Sequence, residues 1–108
     1  MSFAREHPTA DPCPVIESLD ELGSRWRLAV LYDLQAGEKR FNELKRSTDA
    51  SSRTLSRVLD DLQEHGYVDR RMEEDAPVAT YYSLTPKAES LCPVFEEIET
   101  WADEWLET

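Results

Sequence analysis

Between Ser51 and Thr85 the apolar positions switch from one period to another. Leu55, Val58, Leu59 and Leu62 fall at i, i+3, i+4 and i+7, which makes one apolar stripe on a helix. The opposite face carries Ser52, Arg53, Ser56 and Arg57, so cations and hydroxyls gather near the helix start. Ser51 is the expected N-cap, and Gly66 the stop, because glycine tolerates the left-handed conformation at a helix C-terminus. Tyr67–Arg71 and Thr80–Leu84 then read as the arms of a β-hairpin, joined by a loop from Met72 to Ala79 that holds Glu73, Glu74, Asp75 and Pro77. A cationic helix followed by a hairpin is the outline of a winged helix. Such a helix laid in a DNA groove meets base edges and phosphates, so the pattern points to a reader of DNA rather than an enzyme.

Upstream, Val15, Ile16, Leu19 and Leu22 predict a short amphipathic helix ended by Gly23. Ser24 is the expected cap of a second helix running to about Ala36, before Gly37. Trp26, Leu28, Ala29, Val30, Leu31, Tyr32 and Leu34 make it apolar around most of its circumference, as for a helix at the buried centre of a domain. Glu38-Lys39-Arg40 reads as a brief strand or turn. Phe41 and Leu44 share a face of a third helix over Phe41–Arg46, and Ser47–Ala50 reads as the turn before Ser51. That is the spacing of a helix-turn-helix. Downstream, Thr85 and Pro86 open a last helix, with Leu91, Val94, Phe95, Ile98, Trp101, Trp105 and Leu106 on one broad apolar side. Pro93 is expected to bend or divide it. The expected organisation is a flexible lead over 1–12 and one domain over 13–108. Within that domain, 13–23 is the N-terminal helix, 24–85 the helix-turn-helix and wing, and 86–108 the C-terminal helix. The fold class is mainly α with a small β-hairpin, α+β.

The 108 residues suffice for one domain with a modest core. The longest apolar run, Leu28–Tyr32, is far too short to span a bilayer. Met1–Pro12 is polar and lacks an apolar signal region, and two cysteines are too few for a secreted disulfide scaffold, so the cytoplasm is the expected location. The net charge of −11 sits awkwardly with an anionic partner such as DNA. Its distribution changes the picture: eight Lys and Arg meet six Asp and Glu from Lys39 to Arg71, against four and seventeen elsewhere. Basic charge is concentrated where the DNA-facing elements are expected. The acid excess, with arginine preferred to lysine, also fits a surface kept hydrated in a salt-loving host; the alternative is an ordinary acidic cytosolic protein.

Five pieces in register carry a family likeness: Cys13-Pro14-Val15, Gly23-Ser24-Arg25-Trp26, Arg40-Phe41-Asn42-Glu43-Leu44, Ser51-Ser52-Arg53-Thr54-Leu55-Ser56 and Tyr82-Ser83-Leu84-Thr85. From about Cys13 to Trp105 the chain resembles the HxlR-type winged-helix regulators of bacteria and archaea. The resemblance implies a homodimeric transcription factor whose N- and C-terminal helices pair with those of a second copy. It implies that the helix from Ser51 to His65 enters the major groove and that the wing touches the flanking backbone. It also implies a redox role for Cys13, since some members sense oxidants or electrophiles through a cysteine in that position. Glu73, Glu74 and Asp75 depart from the cationic wing tip that phosphate contact favours, which leaves direct wing contact open.

Arg53 and Arg57 are the candidate base readers, since an arginine can donate two parallel hydrogen bonds to guanine. The competing role is an ion pair with Asp49, Asp60 or Asp61 on a solvated surface. Ser52, Thr54 and Ser56 can reach bases or phosphates, or serve as caps. Arg40, Lys45 and Arg46 are candidates to grip the phosphate backbone, which fixes register without reading sequence, as is at least one of Arg70 and Arg71 at the wing base. Cys13 lies at a helix start, where unpaired amides favour a thiolate, yet a lone cysteine also serves as an inert small hydrophobe. Cys92 falls in an apolar pattern and reads as core, and a Cys13–Cys92 bridge stays open. Val15, Ile16, Leu19, Val94, Phe95, Ile98, Trp101 and Trp105 form the expected dimer seam, with a ligand pocket at the tryptophans as the competing role. His7 and His65 have no metal-ligand spacing, and no nucleophile motif, phosphate-binding glycine loop or catalytic carboxylate pair is present; no catalytic residue, metal or cofactor is expected. Three readings follow. The first is a sequence-specific regulator that binds double-stranded DNA as a homodimer on a roughly palindromic site. The others are a winged helix used as a protein-interaction module and a regulator triggered by a small-molecule effector not identified by the sequence.

Overall fold

Six helices and three short strands alternate in the computed structural model, which describes residues 13–74 and 79–106. The expected lead over 1–12 and the loop residues Asp75 and Pro77 lie outside the described residues. In order, the elements are α1 (Pro14–Leu22), α2 (Arg25–Asp33) with a 3-10 turn (Leu34–Ala36), β1 (Lys39–Arg40), α3 (Phe41–Thr48), α4 (Ser52–Glu64), β2 (Val68–Glu73), β3 (Ala79–Leu84), α5 (Pro86–Glu89) and α6 (Cys92–Trp105).

Local chemistry sets most of these limits. Ser24, Ser51 and Thr85 each turn the side-chain oxygen onto an amide of the first helical turn, at 3.4, 3.1 and 3.3 Å respectively. Gly66, at φ +80°, takes the left-handed turn after α4. Gly23 is needed for another reason: its φ is an ordinary −74°, but a Cβ there would collide with the Leu19 carbonyl.

Two expectations are corrected. The third helix does not stop at Arg46. It continues to Thr48, and the Ser47 and Thr48 hydroxyls, instead of capping a turn, donate back to the carbonyls of Glu43 and Leu44 at 2.9 and 2.7 Å. The turn shrinks to Asp49–Ser51, and Asp49 itself adopts φ +61°. The hairpin strands are longer than predicted, so Met72 and Glu73 belong to β2 and Ala79 to β3. The apolar segment after Thr85 is divided, as expected near Pro93. A one-turn α5 is followed by α6, in which Pro93 occupies the first turn, where its missing N–H costs no hydrogen bond.

The strands form an antiparallel sheet in the order β1-β3-β2. Two rows cross it: Lys39, Tyr82 and Arg70, and Arg40, Tyr81 and Arg71. Tyr82 is buried and faces the core, so Tyr81 and its row face outward. The core joins Val30, Leu31 and Leu34 to Leu44, Leu55, Val58, Leu59 and Leu62, with Tyr67, Val68, Tyr82 and Ala88 closing it from the sheet side. The stripe on α4 is thus fully used inside the domain. The second helix is less enclosed than its composition predicts. Val30 and Leu31 are buried, but Tyr32 is half exposed and meets Phe95 of α6 edge-on at 6.0 Å.

Candidate nucleic-acid interface

The three core leucines and the valine of α4 point inward, so its other face is necessarily solvent-facing. Ser52, Arg53, Ser56 and Arg57 are all exposed there. Asp61, a carboxylate that could have claimed Arg57, is instead held by Arg27 of α2 at 3.3 Å. Arg27 also donates to the Glu21 carbonyl at 2.7 Å. Among the described residues, neither Arg53 nor Arg57 has a carboxylate within ion-pair distance. Two guanidinium groups four residues apart therefore stand on one helix face with their donors available. Thr54 is placed differently from its serine neighbours. It is half-buried, and its hydroxyl accepts from Ser51 Oγ at 3.0 Å, which draws it into the helix cap.

Lys45 and Arg46 are exposed in the last turn of α3, where cations also suit the negative end of the helix dipole. Arg40 precedes α3; its amide donates to the Glu43 carboxylate at 2.8 Å, and its guanidinium lies 5.8 Å from the Tyr81 ring centroid. The wing arginines part company. Arg70 is exposed in the row of Tyr82, on the side of the hairpin that faces α4. Arg71 lies on the outer side and is fully engaged. Its Nη2 and Nε donate to the two oxygens of Glu38 at 2.8 and 3.2 Å, and its Nη1 donates to Glu73 at 3.1 Å. Its guanidinium also stacks 4.5 Å from the centre of the Tyr81 ring. The Arg71 hydrogen bond holds the Glu38 carboxyl below the usual range.

A second set of contacts joins α1 to the turn that follows the C-terminal end of α4. The Tyr67 hydroxyl donates to Glu21 at 2.6 Å, and Lys87 sits 4.3 Å from the Tyr67 ring centre while donating to the His65 carbonyl at 2.8 Å. Glu38, Glu21, Tyr67 and Tyr81 carry no motif. Their partners lie across folded contacts, such as the 33 positions between Glu38 and Arg71, so no periodicity announces them.

The terminal helices contribute no buried residue of their own. Val15, Ile16, Leu19, Val94, Ile98, Trp101 and Trp105 are exposed, Trp101 by 55% and Trp105 by 71%. Phe95 is the exception, half-buried against the core and Tyr32. Cys13 is a half-buried free thiol at the N-cap of α1. Cys92 is also a free thiol and only half-buried, so it is not a core residue, and the two are not bridged. No helix among the described residues is long and apolar enough to cross a membrane, and these residues contain no group of three side chains able to hold a metal ion.

Known proteins share this arrangement. Residues 21–108 match the family model described as HxlR-like helix-turn-helix. The HTH-type transcriptional regulator YvaP of Bacillus subtilis is 36% identical over 91% of this chain and 93% of its own length. Its counterpart YodB, from the same organism, is 35% identical over 88% of this chain and 87% of its own. The reduced form of B. subtilis YodB superposes with a TM-score of 0.78 at 34% identity, covering 90% of this chain and 97% of that one. The redox regulator HypR in its oxidized form also gives 0.78, at 31% identity, covering 89% and 100%. Its sequence and its fold thus lead to one place: the chain belongs to the HxlR-like helix-turn-helix family.

Proposed function

We propose that this chain is a cytoplasmic, sequence-specific transcriptional regulator that binds double-stranded DNA as a homodimer on a roughly palindromic operator. The observation that carries the reading is the exposed face of α4, where Arg53 and Arg57 stand without carboxylate partners among the described residues. Ser52 and Ser56 flank them as short donors and acceptors. In this reading Arg40, Lys45, Arg46 and Arg70 neutralise backbone phosphates and set the register. The helices of the two copies enter successive major grooves about 34 Å apart. Outside the acidic wing, the acid excess lies away from these elements. If the host is salt-loving, a Debye length of about 3 Å at 1 M salt leaves binding to direct contacts.

Enrichment of a random duplex library on the protein, followed by titration of the selected sequence against a scrambled one, tests this. A selected duplex that binds no tighter than the scrambled one at any salt removes the regulator reading and favours a protein-interaction module, which the acidic wing also suits.

Cys13 is the proposed trigger. YodB has been solved reduced, diamide-treated and quinone-bound, and HypR reduced and oxidized. In this chain a free thiol stands at the start of α1, the helix tied through Glu21 to Tyr67, just past the C-terminal end of α4. Cys13→Ser abolishes any response of operator binding to an oxidant; a response that survives the change assigns the sensor elsewhere. A small-molecule effector acting in place of oxidation is tested by thermal-shift screening.

A further inference from the structure

We infer, on the strength of the DNA-reading role proposed above, that Glu38 and Glu73 withhold Arg71 from the DNA backbone and so act as determinants of specificity. An arginine grips a phosphate through the same planar fork that it offers a carboxylate. In Arg71 that fork is already occupied, with Nε and Nη2 on Glu38 and Nη1 on Glu73, and the flat of the guanidinium rests on Tyr81. One cation between two carboxylates leaves the cluster with a net charge of −1, so a phosphate arriving at this side of the wing meets repulsion. Of the seven cations proposed to face DNA, Arg71 alone is held in this way among the described residues.

The consequence follows from what phosphate contacts do. They supply the sequence-independent part of affinity, whereas base contacts supply discrimination. Silencing one wing cation lowers the first without touching the second. The clamp is half exposed, with side-chain accessibilities of 50% for Arg71, 37% for Glu38 and 48% for Glu73, so it competes with a phosphate rather than forbidding one. The effect is therefore a brake of moderate size. It also explains why an acidic wing can sit on a DNA reader.

The test is fluorescence anisotropy with a mixed-sequence duplex about three turns long, titrated from low to high potassium chloride. The proteins are the full chain, E38Q/E73Q, E38Q/E73Q/R71Q, and E89Q/E96Q, which makes the same change in net charge far from the wing. Freeing one arginine per protomer steepens the slope of log affinity against log salt by about 0.9, and tightens binding at 0.1 M salt about eightfold, for each wing engaged. The gain disappears in the triple variant and is absent from E89Q/E96Q. An E38Q/E73Q protein with unchanged affinity and slope overturns the brake. A gain retained without Arg71, or matched by E89Q/E96Q, also overturns it, since charge removal alone then accounts for the change. If the unmodified chain binds its selected operator but E38Q/E73Q behaves identically on mixed sequence, the brake fails and the regulator reading stands. If it binds no duplex at all, both fall.

Discussion

At the scale of single residues, the proposed base readers Arg53 and Arg57 stand apart from the residues that fold the chain. Both are exposed on α4, and neither contributes to the apolar stripe that fills the core. Arg53→Ala or Arg57→Ala therefore leaves the thermal unfolding midpoint where it was, while a lost bidentate base contact reduces discrimination by about 1–3 kcal/mol, roughly five- to 150-fold. Competition between operator and scrambled duplex measures this, and unchanged discrimination in both variants removes α4 as the reading helix. Tyr67 is a residue of the opposite kind, buried and structural. Its hydrogen bond to Glu21 is the main cause that lowers the Glu21 pKa, and burial, then Glu21, pushes the Tyr67 hydroxyl up to about 12. The signs differ. The folded Glu21 binds its proton less readily than the unfolded chain does, so its contribution is present above the ordinary carboxyl value of 4.5 and fades as pH falls through the folded value. The folded Tyr67 holds its proton more tightly, so its contribution is complete below 10 and fades as pH rises toward about 12. Tyr67→Phe removes the tyrosine slope and the largest cause of the Glu21 slope. In urea titrations the gap between the parent and Tyr67→Phe narrows on acidification below about 4.5 and again above 10; a gap constant across the whole range shows that the pair is not coupled to folding.

At the scale of elements, strong periodicity was legible and long-range pairing was not. The stripe of Leu55, Val58, Leu59 and Leu62 predicts a helix of the right span, and all four are buried. The boundary at α3 is misplaced because Ser47, Thr48 and Asp49 favour turns in isolation, while here the Ser47 and Thr48 hydroxyls bond back within the helix and only Asp49 turns out of it. The wing candidates were identified by charge alone. Charge could not show that Arg71 is clamped by carboxylates and Arg70 is not, since that depends on which face of the hairpin each occupies and on Glu38 before β1. That Asp61 does not pair with Arg57 was equally hidden, because it depends on Arg27 taking Asp61 across a helix packing. The glycine after α4 was legible and carries its own test. A Cβ at Gly66 would meet nothing within 4 Å, so Gly66→Ala is penalised through the backbone at φ +80° and not through crowding. The expected loss is about 1–2 kcal/mol, visible as a lower unfolding midpoint, with DNA discrimination unchanged once the protein is folded. An unaltered midpoint means that the turn after α4 relaxes without strain.

At the scale of the molecule, the terminal helices are the part of the structure that does not account for itself. A helix of fourteen residues that buries none of them gains little from its own chain, because helical stability in proteins comes mostly from packing an apolar face. Yet α6 exposes Val94, Ile98, Trp101, Trp105 and, just beyond it, Leu106, and α1 exposes Val15, Ile16 and Leu19. A monomer in water rarely leaves so many large apolar side chains together on its surface. The proposed homodimer would resolve the discrepancy and give the helices a purpose, since two reading helices joined through a rigid seam would have a fixed separation. Trp101→Asp places a charge in that seam without touching the core. The variant sediments as a monomer, keeps the hydrophobic core of α2, α3 and α4 folded, and loses operator affinity far more than affinity for an isolated half-site, because only the two-site complex depends on the spacing. A Trp101→Asp protein that remains dimeric moves the seam to another surface. One that becomes monomeric yet keeps full operator affinity breaks the link between the terminal helices and DNA reading.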